Sequence, residues 1–353
     1  MRFLFCLLLF FSSLSLFSQS TSSFSVYLIG DAGEDTVPGS SLLRLKDELL
    51  AHPNSAVVFL GDNAYPAGVK KDDRISQLHI GSQLQILKEY KGEAYFIPGN
   101  HDWAAQGRAG MKRLKSEQEY VETYLKKNTS VANKSESTFL PEDGMPGPAT
   151  VMLNEHLRLI MIDTQWFLHQ YKKGKNGSKK NTRELFYTRL DSILDVAKKN
   201  NERVIVTAHH PMYTNGEHAR HLQPWRFLVN YTPFRLFGVF GLTRVLSQDL
   251  DQPVYKKMRR RMLEIFDKYD NIVYVSGHDH NLQCFTEGNN RYVVSGSGSK
   301  LSHLRKKKRF ESLYQKDDAT GFFELKYSTN ENGDLFVYKQ GEGPQLIEGM
   351  SGK

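Results

Sequence analysis

The chain has 353 residues, of which 39% are hydrophobic and 12% aromatic, and its formal net charge is +8. This composition is sufficient for a sizeable hydrophobic core, and it excludes a disordered chain. The positive charge is compatible with anionic ligands such as phosphates, although a solvated basic surface accounts for most of it.

Residues 1–20 have the pattern of a secretory signal peptide. Arg2 precedes an apolar stretch from Phe3 to Phe17, and small residues follow at the spacing of a cleavage site. We therefore expect an exported protein that is periplasmic, attached to the cell envelope or secreted. An uncleaved membrane anchor is the alternative, although the apolar stretch is short for a membrane span. Removal of the signal leaves Cys284 as the only cysteine, so no intramolecular disulfide is expected.

Strand and helix patterns alternate in the first part of the chain. Short apolar runs predict buried strands at Phe24–Ile29, Ala56–Leu60 and Ala94–Ile97. Helical spacing of apolar residues predicts helices at Ser40–Leu50, which we expect to be capped, at 71–90 and at Gly107–Lys127. Because a helix connects the first two strands, we expect them to be parallel neighbours.

The second part of the chain has the same rhythm and follows a predicted hairpin, about Thr150–Asn154 and Leu157–Asp163. Helices are predicted at Asn181–Asn200 and Val254–Tyr269, and strands at Arg203–Thr207, Ile272–Val275, Leu282–Thr286, Tyr292–Ser295, Gly321–Tyr327 and Asp334–Lys339. The shared order of strand, turn and helix in the two parts favours two sheets packed face to face with helices outside.

Two segments interrupt this pattern. Residues 217–253 are rich in aromatic side chains and indicate an insertion over the strand ends. This insertion is either a lid, a peripheral membrane contact through 228–240, or a segment buried against the domain. The basic run Arg305–Arg309 is interpreted as an exposed loop rather than a nucleic-acid or lipid contact, because the protein is expected to be exported. No nucleic-acid partner is therefore expected.

Polar residues follow five of the predicted strands at the points where these strands end. They are Asp31, Asp62 with Tyr65, Asn100 with His101 and Asp102, His209 with His210, and His278 with His280. An Asp in a Gly-rich turn is usually structural, so each residue alone is a weak signal. Their shared position carries more weight, because ligands bind at the carboxyl ends of strands in open α/β sheets. Oxygen and imidazole donors suit iron, zinc or manganese, and the absence of a cysteine cluster excludes a zinc ribbon.

In order and kind, these residues resemble the five motifs of the calcineurin-like metallophosphoesterases. The motifs are Asp31-Ala-Gly33, Gly61-Asp62-x-x-Tyr65, Gly99-Asn100-His101-Asp102, His209-x-Pro211 and Gly277-His278-x-His280. The wider family has a histidine at the place of Gly33, whereas Tyr65 resembles the purple acid phosphatases, and the chain length resembles their small tartrate-resistant type. The resemblance spans about residues 24–300. It implies one catalytic domain over 21–353. The implied fold class is α/β (α+β), with two mixed sheets and flanking helices in a four-layer α-β-β-α sandwich. A dinuclear metal site would lie at the carboxyl ends of the strands.

The resemblance also implies which residues hold each metal ion. A ferric ion would be held by Asp31, Tyr65 and His280, and a divalent ion (Fe2+, Zn2+ or Mn2+) by Asn100, His209 and His278. Asp62 would bridge the two ions. This division agrees with ligand chemistry, because carboxylate and phenolate donors suit a trivalent ion and neutral donors suit a divalent one.

Catalytic roles follow from the same resemblance. His101 would contact the phosphoryl group or protonate the leaving group, and Asp102 would orient it. His218 would assist the leaving group, with His221 as the alternative for this role. His210 is interpreted as a structural residue or as a support behind the metal ligands.

We therefore expect an exported acid phosphatase that hydrolyses small phosphate monoesters by direct attack of a metal-bound hydroxide. The first alternative is a phosphodiesterase or nucleotide hydrolase that uses the same metal site. The second is a catalytically silent envelope protein that binds phosphate or a partner. All seven ligand positions are filled, which favours an enzyme.

Overall fold

The computed structural model describes residues 23–104, 107–168, 179–217, 250, 252–328 and 333–350. The strands are β1 Phe24–Ile29, β2 Ser55–Phe59, β3 Glu93–Phe96, β4 Ala149–Asn154, β5 Leu157–Ile162, β6 Arg203–Ala208, β7 Ile272–Ser276, β8 Leu282–Glu287, β9 Asn290–Ser295, β10 Tyr314–Lys316, β11 Gly321–Tyr327, β12 Gly333–Lys339 and β13 Gln345–Met350. The helices are α1 Ser40–Ala51, α2 Arg74–Gln85, α3 Gly107–Asn128, α4 Gln165–Leu168, α5 Lys179–Lys199 and α6 Pro253–Phe266, with a short 3-10 turn at Glu142–Gly144.

These strands form two mixed sheets. The six-stranded sheet has the order β13-β12-β11-β1-β2-β3, and the seven-stranded sheet has the order β10-β8-β9-β7-β6-β5-β4. Strands β1, β2 and β3 are parallel, as are β5, β6, β7 and β9, while the outer strands pair antiparallel. Each sheet therefore presents the carboxyl ends of several neighbouring strands along one edge.

Alternate residues of each strand belong to two different packing layers. Val26 and Leu28 of β1 lie in a buried cluster with Ile205 and Val273 of the other sheet, and none of the described residues in this cluster belongs to a helix. Tyr27 and Ile29 point to the opposite face, where they pack in a cluster that includes the buried side chains of the helices. Because side chains alternate along a strand, this division places the sheets face to face with helices outside. The predicted four-layer sandwich is confirmed.

Most of the predicted elements are present with small differences in their bounds. The parallel pairing of β1 with β2 and the antiparallel hairpin of β4 with β5 are confirmed. The predicted helix at 71–90 is shorter, because it begins after Asp73, whose side chain accepts a hydrogen bond from the backbone N–H of Ile75, and ends at Gln85. Helix α1, which was expected to be capped, has Gly39 at its N-cap position, and this residue makes no side-chain capping bond.

Several predicted segments fall outside the described residues. These are the signal peptide at 1–20, the candidate leaving-group residues His218 and His221, and the proposed membrane contact at 228–240. In the part of the chain that is described, no helix combines the length and the apolar character that a membrane span requires. The run from Lys306 to Arg309 is exposed between β9 and β10, which agrees with the predicted surface loop.

Candidate metal centre

The two sheets meet at the edge formed by the carboxyl ends of β1, β2, β3, β6 and β7. The backbone N–H of Gly30 donates to the carbonyl oxygen of Ser295 (2.8 Å), and the N–H of Asp31 donates to that of Gly61 (3.0 Å). The N–H of Gly277 donates to the carbonyl oxygen of His209 at 3.1 Å. These bonds connect the turns that follow β1, β2, β6 and β7 with one another and with the end of β9, so the side chains of these turns are held close together.

Three of the candidate ligands lie in turns with left-handed backbone conformations. The φ angles of Asp31, Asp62 and His278 are 57°, 54° and 70°. Non-glycine residues rarely adopt this conformation, and where they do the strain often belongs to a functional site. Here the conformation occurs where the chain leaves a strand and directs a carboxylate or an imidazole toward the sheet edge.

The first group of candidate ligands surrounds the phenol oxygen of Tyr65. This atom lies 3.0 Å from Oδ1 of Asp31, 3.1 Å from Oδ2 of Asp62 and 3.2 Å from Nε2 of His280. Nε2 of His280 is also 3.5 Å from Oδ1 of Asp31. The structure therefore brings together the three residues expected to hold the ferric ion, with Asp62 beside them.

The second group surrounds the side-chain oxygen of Asn100. This oxygen lies 2.9 Å from both Nε2 of His209 and Nδ1 of His278, and these two nitrogens are 3.3 Å apart. Nε2 of His209 is 3.4 Å from Oδ2 of Asp62. The same oxygen of Asp62 therefore lies next to both groups, which is the place that a bridging ligand would occupy.

The arrangement of these atoms fits a site for cations. Nδ1 of His209 lies 2.9 Å from the carbonyl oxygen of Leu60, which only accepts hydrogen bonds, so the proton of a neutral ring is on Nδ1. The lone pair on Nε2 then faces the oxygens of Asn100 and Asp62. Lone pairs at these distances repel each other unless a proton or a metal ion lies between them. One ligand atom each from Asp31, Asp62 and His209 also lies within 4.8 Å of the others.

The pKa values of the site residues reflect the negative charge of the two buried carboxylates. Burial lowers the pKa of His209, but the charge and the hydrogen bond of Asp62, together with the charge of Asp31, outweigh burial and raise this pKa to about 10. Burial raises the pKa of Asp62, while the nearby imidazoles of His209 and His101 bring it well below its usual range. Burial and the charges of Asp31 and Asp62 raise the pKa of the Tyr65 phenol. All three shifts involve the negative charge that the carboxylates concentrate here, and a bound cation would balance that charge.

The carboxylate of Asp102 connects the turns that carry Asp62 and Asn100. It accepts hydrogen bonds from the backbone N–H groups of Asp62, Asn63 and Gly99 at 3.0, 3.0 and 2.7 Å, and from that of Ala64 at 3.3 Å. Burial, together with the charge of Asp62, nevertheless raises the pKa of this carboxyl to about 7. These contacts assign Asp102 to holding the two turns together, and its expected role in orienting His101 stays a prediction.

His101 lies at the rim of the same site. Its backbone N–H donates to Oδ1 of Asp62 (2.8 Å), and its Nδ1 lies 2.9 Å from the carbonyl oxygen of Pro66. Nε2 is 3.9 Å from Oδ2 of Asp62, and the side chain is 20% exposed. His101 is therefore accessible to a ligand in a way that the buried residues of the centre are not.

Sequence reasoning missed a buried support beneath these turns. The side-chain amide of Asn63 donates to Oδ2 of Asp102 (3.2 Å) and to Oε1 of Glu117 (3.3 Å), and Glu117 also accepts from the backbone N–H of Val69 (3.2 Å). Burial and the charge of Asp102 raise the pKa of Glu117. A glutamate on the buried face of α3 was the available signal in the sequence, because such a residue needs a partner.

His210 lies behind the candidate ligands. Its Nδ1 is 2.8 Å from the hydroxyl oxygen of Thr164, and its ring centroid is 4.5 Å from that of His278. Because both its ring and its hydroxyl partner are buried, it supports His278 from behind.

Gly33 leaves no room for the histidine that the wider family has at this position. A Cβ atom added to Gly33 would lie 2.3 Å from the carbonyl carbon and oxygen of Asn63. The carbonyl oxygen of Gly33 accepts a hydrogen bond from the backbone N–H of Tyr65 at 3.0 Å. The turn after β2 therefore packs directly on Gly33, and this packing positions Tyr65.

Replacement of Asp102 by Asn tests its role as a connector of the two turns. The amide keeps the size of the side chain but presents N–H groups to backbone N–H donors, so we expect a loss of about 1–3 kcal/mol in the free energy of unfolding. We also expect roughly tenfold or greater weakening of metal binding, because the ligands lose their support. Urea denaturation and metal titration measure the two effects. Unchanged metal affinity in Asp102→Asn would show that the carboxylate does not position the ligands.

Comparison with known proteins gives the same assignment of the fold. Residues 24–282 match the sequence model of the calcineurin-like phosphoesterase family. Glideosome-associated protein 50 of Plasmodium falciparum is 25% identical over 343 residues, which covers 89% of this chain and 73% of that protein.

Solved structures with the same fold include both enzymes and a protein described as an anchor. A structure described as GAP50, the anchor in the inner membrane complex of Plasmodium, has a TM-score of 0.58 at 18% identity and covers 93% of this chain and 87% of its own. A dimetal phosphatase of Danio rerio has a TM-score of 0.54 at 13% identity and covers 93% and 99%. A purple acid phosphatase of yellow lupin, Lupinus luteus, has a TM-score of 0.55 at 16% identity and covers 94% of this chain and 53% of its own. Because the family match extends over more than half of its length, the chain belongs to the calcineurin-like phosphoesterase family.

Proposed function

We propose that the protein is an exported acid phosphatase with two metal ions that hydrolyses small phosphate monoesters. The observation that carries this proposal is the position of Asp62, whose Oδ2 atom lies 3.1 Å from the phenol oxygen of Tyr65 and 3.4 Å from Nε2 of His209. One carboxylate oxygen thus adjoins both groups of candidate ligands, as a bridge between two ions requires. The signal pattern of residues 1–20 supports export.

Two ions bound at these residues would activate a water molecule and neutralise the charge of a phosphoryl group. The chain itself supplies the geometry. Asp102 fixes the turns on which Asp62 and Asn100 lie, and Asp31 and His278 lie in turns with left-handed backbone conformations at the same sheet edge. The site is therefore organised before the substrate binds, and the binding energy of the substrate is not needed to organise it.

His101 is the residue that we assign to proton transfer. When Nδ1 donates to the carbonyl oxygen of Pro66, Nε2 carries a proton only in the imidazolium form. That proton is available to the oxygen of the leaving group as the phosphate ester bond breaks. His218, with His221 as its alternative, stays our candidate for assisting this step.

The assignment of iron rests on the donors around Tyr65. A phenol, two carboxylates and the imidazole of His280 form one half of the centre, whereas an amide oxygen and two imidazoles form the other. The anionic half suits Fe3+, and the neutral half suits a divalent ion such as Fe2+, Zn2+ or Mn2+. Gly33 has no side chain, so the turn that carries Tyr65 can pack directly against it. This packing positions the phenol and supports the same assignment.

Asp62→Asn tests the proposed activity. It keeps the shape of the side chain and an oxygen for the N–H of His101, but it removes the charge between the two groups of ligands. We expect hydrolysis of an aryl phosphate monoester by the metal-loaded protein to fall by at least about a hundredfold, which exceeds the usual effect of losing a residue that only supports a ligand. The matched control is Asp47→Asn on the exposed face of α1, which we expect to leave the rate unchanged. Wild-type turnover in Asp62→Asn would contradict the ligand assignment.

The same assay separates the alternatives. A higher rate on a diester or nucleotide than on the monoester would favour a phosphodiesterase or nucleotide hydrolase. The second alternative, a silent protein that binds a partner, is kept because one relative is named glideosome-associated protein 50, a name that refers to an association. Metal-loaded wild-type protein that hydrolyses none of these esters would favour that second alternative.

Tyr65→Phe tests the assignment of iron. A phenolate bound to Fe3+ absorbs visible light by charge transfer, so we expect the iron-loaded wild-type protein to be coloured and Tyr65→Phe to have lost the band. The phenylalanine keeps the ring and removes only the oxygen. Visible absorption, with iron content measured on the same samples, gives the result. A colourless wild-type protein that contains iron would refute the assignment of Tyr65 as an iron ligand without affecting the proposed hydrolysis.

A further inference from the structure

Lys300 lies over the ring of Tyr65 at the rim of the metal centre. Its Nζ atom is 3.7 Å from the centroid of the ring, and the same atom is 2.6 Å from Oε2 of Glu34. By contrast, the described contact between Lys198 and the ring of Tyr269 measures 5.9 Å. An ammonium group within about 6 Å of an aromatic face is attracted by the ring, so Lys300 makes close contact with a candidate metal ligand.

The backbone around Lys300 is fixed to the turn that carries Asp31. The N–H groups of Gly298 and Ser299 donate to the carbonyl oxygens of Gly30 and Asp31 at 3.0 and 3.1 Å. The hydroxyl of Ser299 donates to the carbonyl oxygen of Asp31 (2.5 Å) and accepts from the backbone N–H of Glu34 (3.2 Å). Lys300 and its partner Glu34 are therefore positioned by the same contacts that position Asp31.

The position of this charge has a definite electrostatic effect on the ligand. The face of the Tyr65 ring meets the ammonium, while its oxygen points to Asp31, Asp62 and His280. A positive charge over the ring holds electron density on the ring and opposes its donation through the oxygen. An ion held by Tyr65 would then keep more of its positive charge for an anionic substrate.

We propose that Lys300 is a positioning residue that acts through Tyr65 and sets how strongly the phenolate donates electrons to the iron. This inference rests on the proposed assignment of iron. It concerns the electronic state of the centre and assigns no contact between Lys300 and the substrate. A purely structural role, in which Lys300 only joins its loop to Glu34, is the competing explanation.

The wavelength of the charge-transfer band distinguishes the two explanations. Light moves an electron from the ring toward the iron, away from the ammonium, so Lys300 raises the energy of this transition. We expect the band of iron-loaded Lys300→Met to move to longer wavelength by at least about 10 nm. Lys300→Gln, a second neutral variant, should show the same shift, and Lys300→Arg should restore the wild-type position because it keeps the charge.

The matched control is Lys306→Met, which removes an equal charge from the exposed loop. We expect its band to coincide with that of the wild type. A band of Lys300→Met and Lys300→Gln at the wild-type wavelength would overturn the inference and leave the assignment of iron intact. Absence of the band from iron-loaded wild-type protein would overturn both. Since the Lys300 side chain is 30% exposed, we expect the variants to fold.

Discussion

The structure of the site depends on one electrostatic constraint, which is the convergence of acceptor atoms around Oδ2 of Asp62. This oxygen lies 3.1 Å from the phenol oxygen of Tyr65 and 3.4 Å from Nε2 of His209, further carboxylate, amide and imidazole groups contact these two residues, and most of the side chains are buried. Such a group is unstable in a low-dielectric environment unless protons or cations lie among its members. The raised pKa of His209 reflects this constraint, because the nearby carboxylate of Asp62 favours a positive charge on the ring. Bound metal ions would satisfy it more completely.

The rest of the fold holds these side chains together although their carboxylates and lone pairs repel one another. Two sheets bring the ends of five strands to one edge, and backbone hydrogen bonds join the turns across the sheets. Asp102 joins the turns of Asp62 and Asn100, and Asn63 connects Asp102 with Glu117 of α3. Asp102, Asn63 and Glu117 are therefore part of the centre although they are not candidate metal ligands, because they hold the turns that carry the ligands. Gly33 is also required, since the turn carrying Tyr65 packs where its side chain would be.

Much of this organisation was predictable from the sequence because it depends on local patterns. Buried strands of β-branched residues followed by Asp-, Asn- or His-containing turns identify the ends of β1, β2, β3, β6 and β7 and thereby the candidate ligands. The parts that were missed depend on tertiary contacts. Strand β10 has only three residues, and β13 contains a register shift against β12, so neither has a clear alternating pattern. The contact of Asp102 with the turn of Asp62 joins residues that are far apart in sequence, and so does the contact of Lys300 with the ring of Tyr65. No local pattern predicts such contacts.

The central claim is that the seven candidate ligands bind two metal ions. The metal content of the protein tests this claim most directly. The measurement is the ratio of metal to protein by elemental analysis after reconstitution with iron and zinc and removal of unbound ions. The account predicts about two ions per chain, because Asp62 lies between two complete groups of ligands. Less than one ion per chain in folded protein would contradict it.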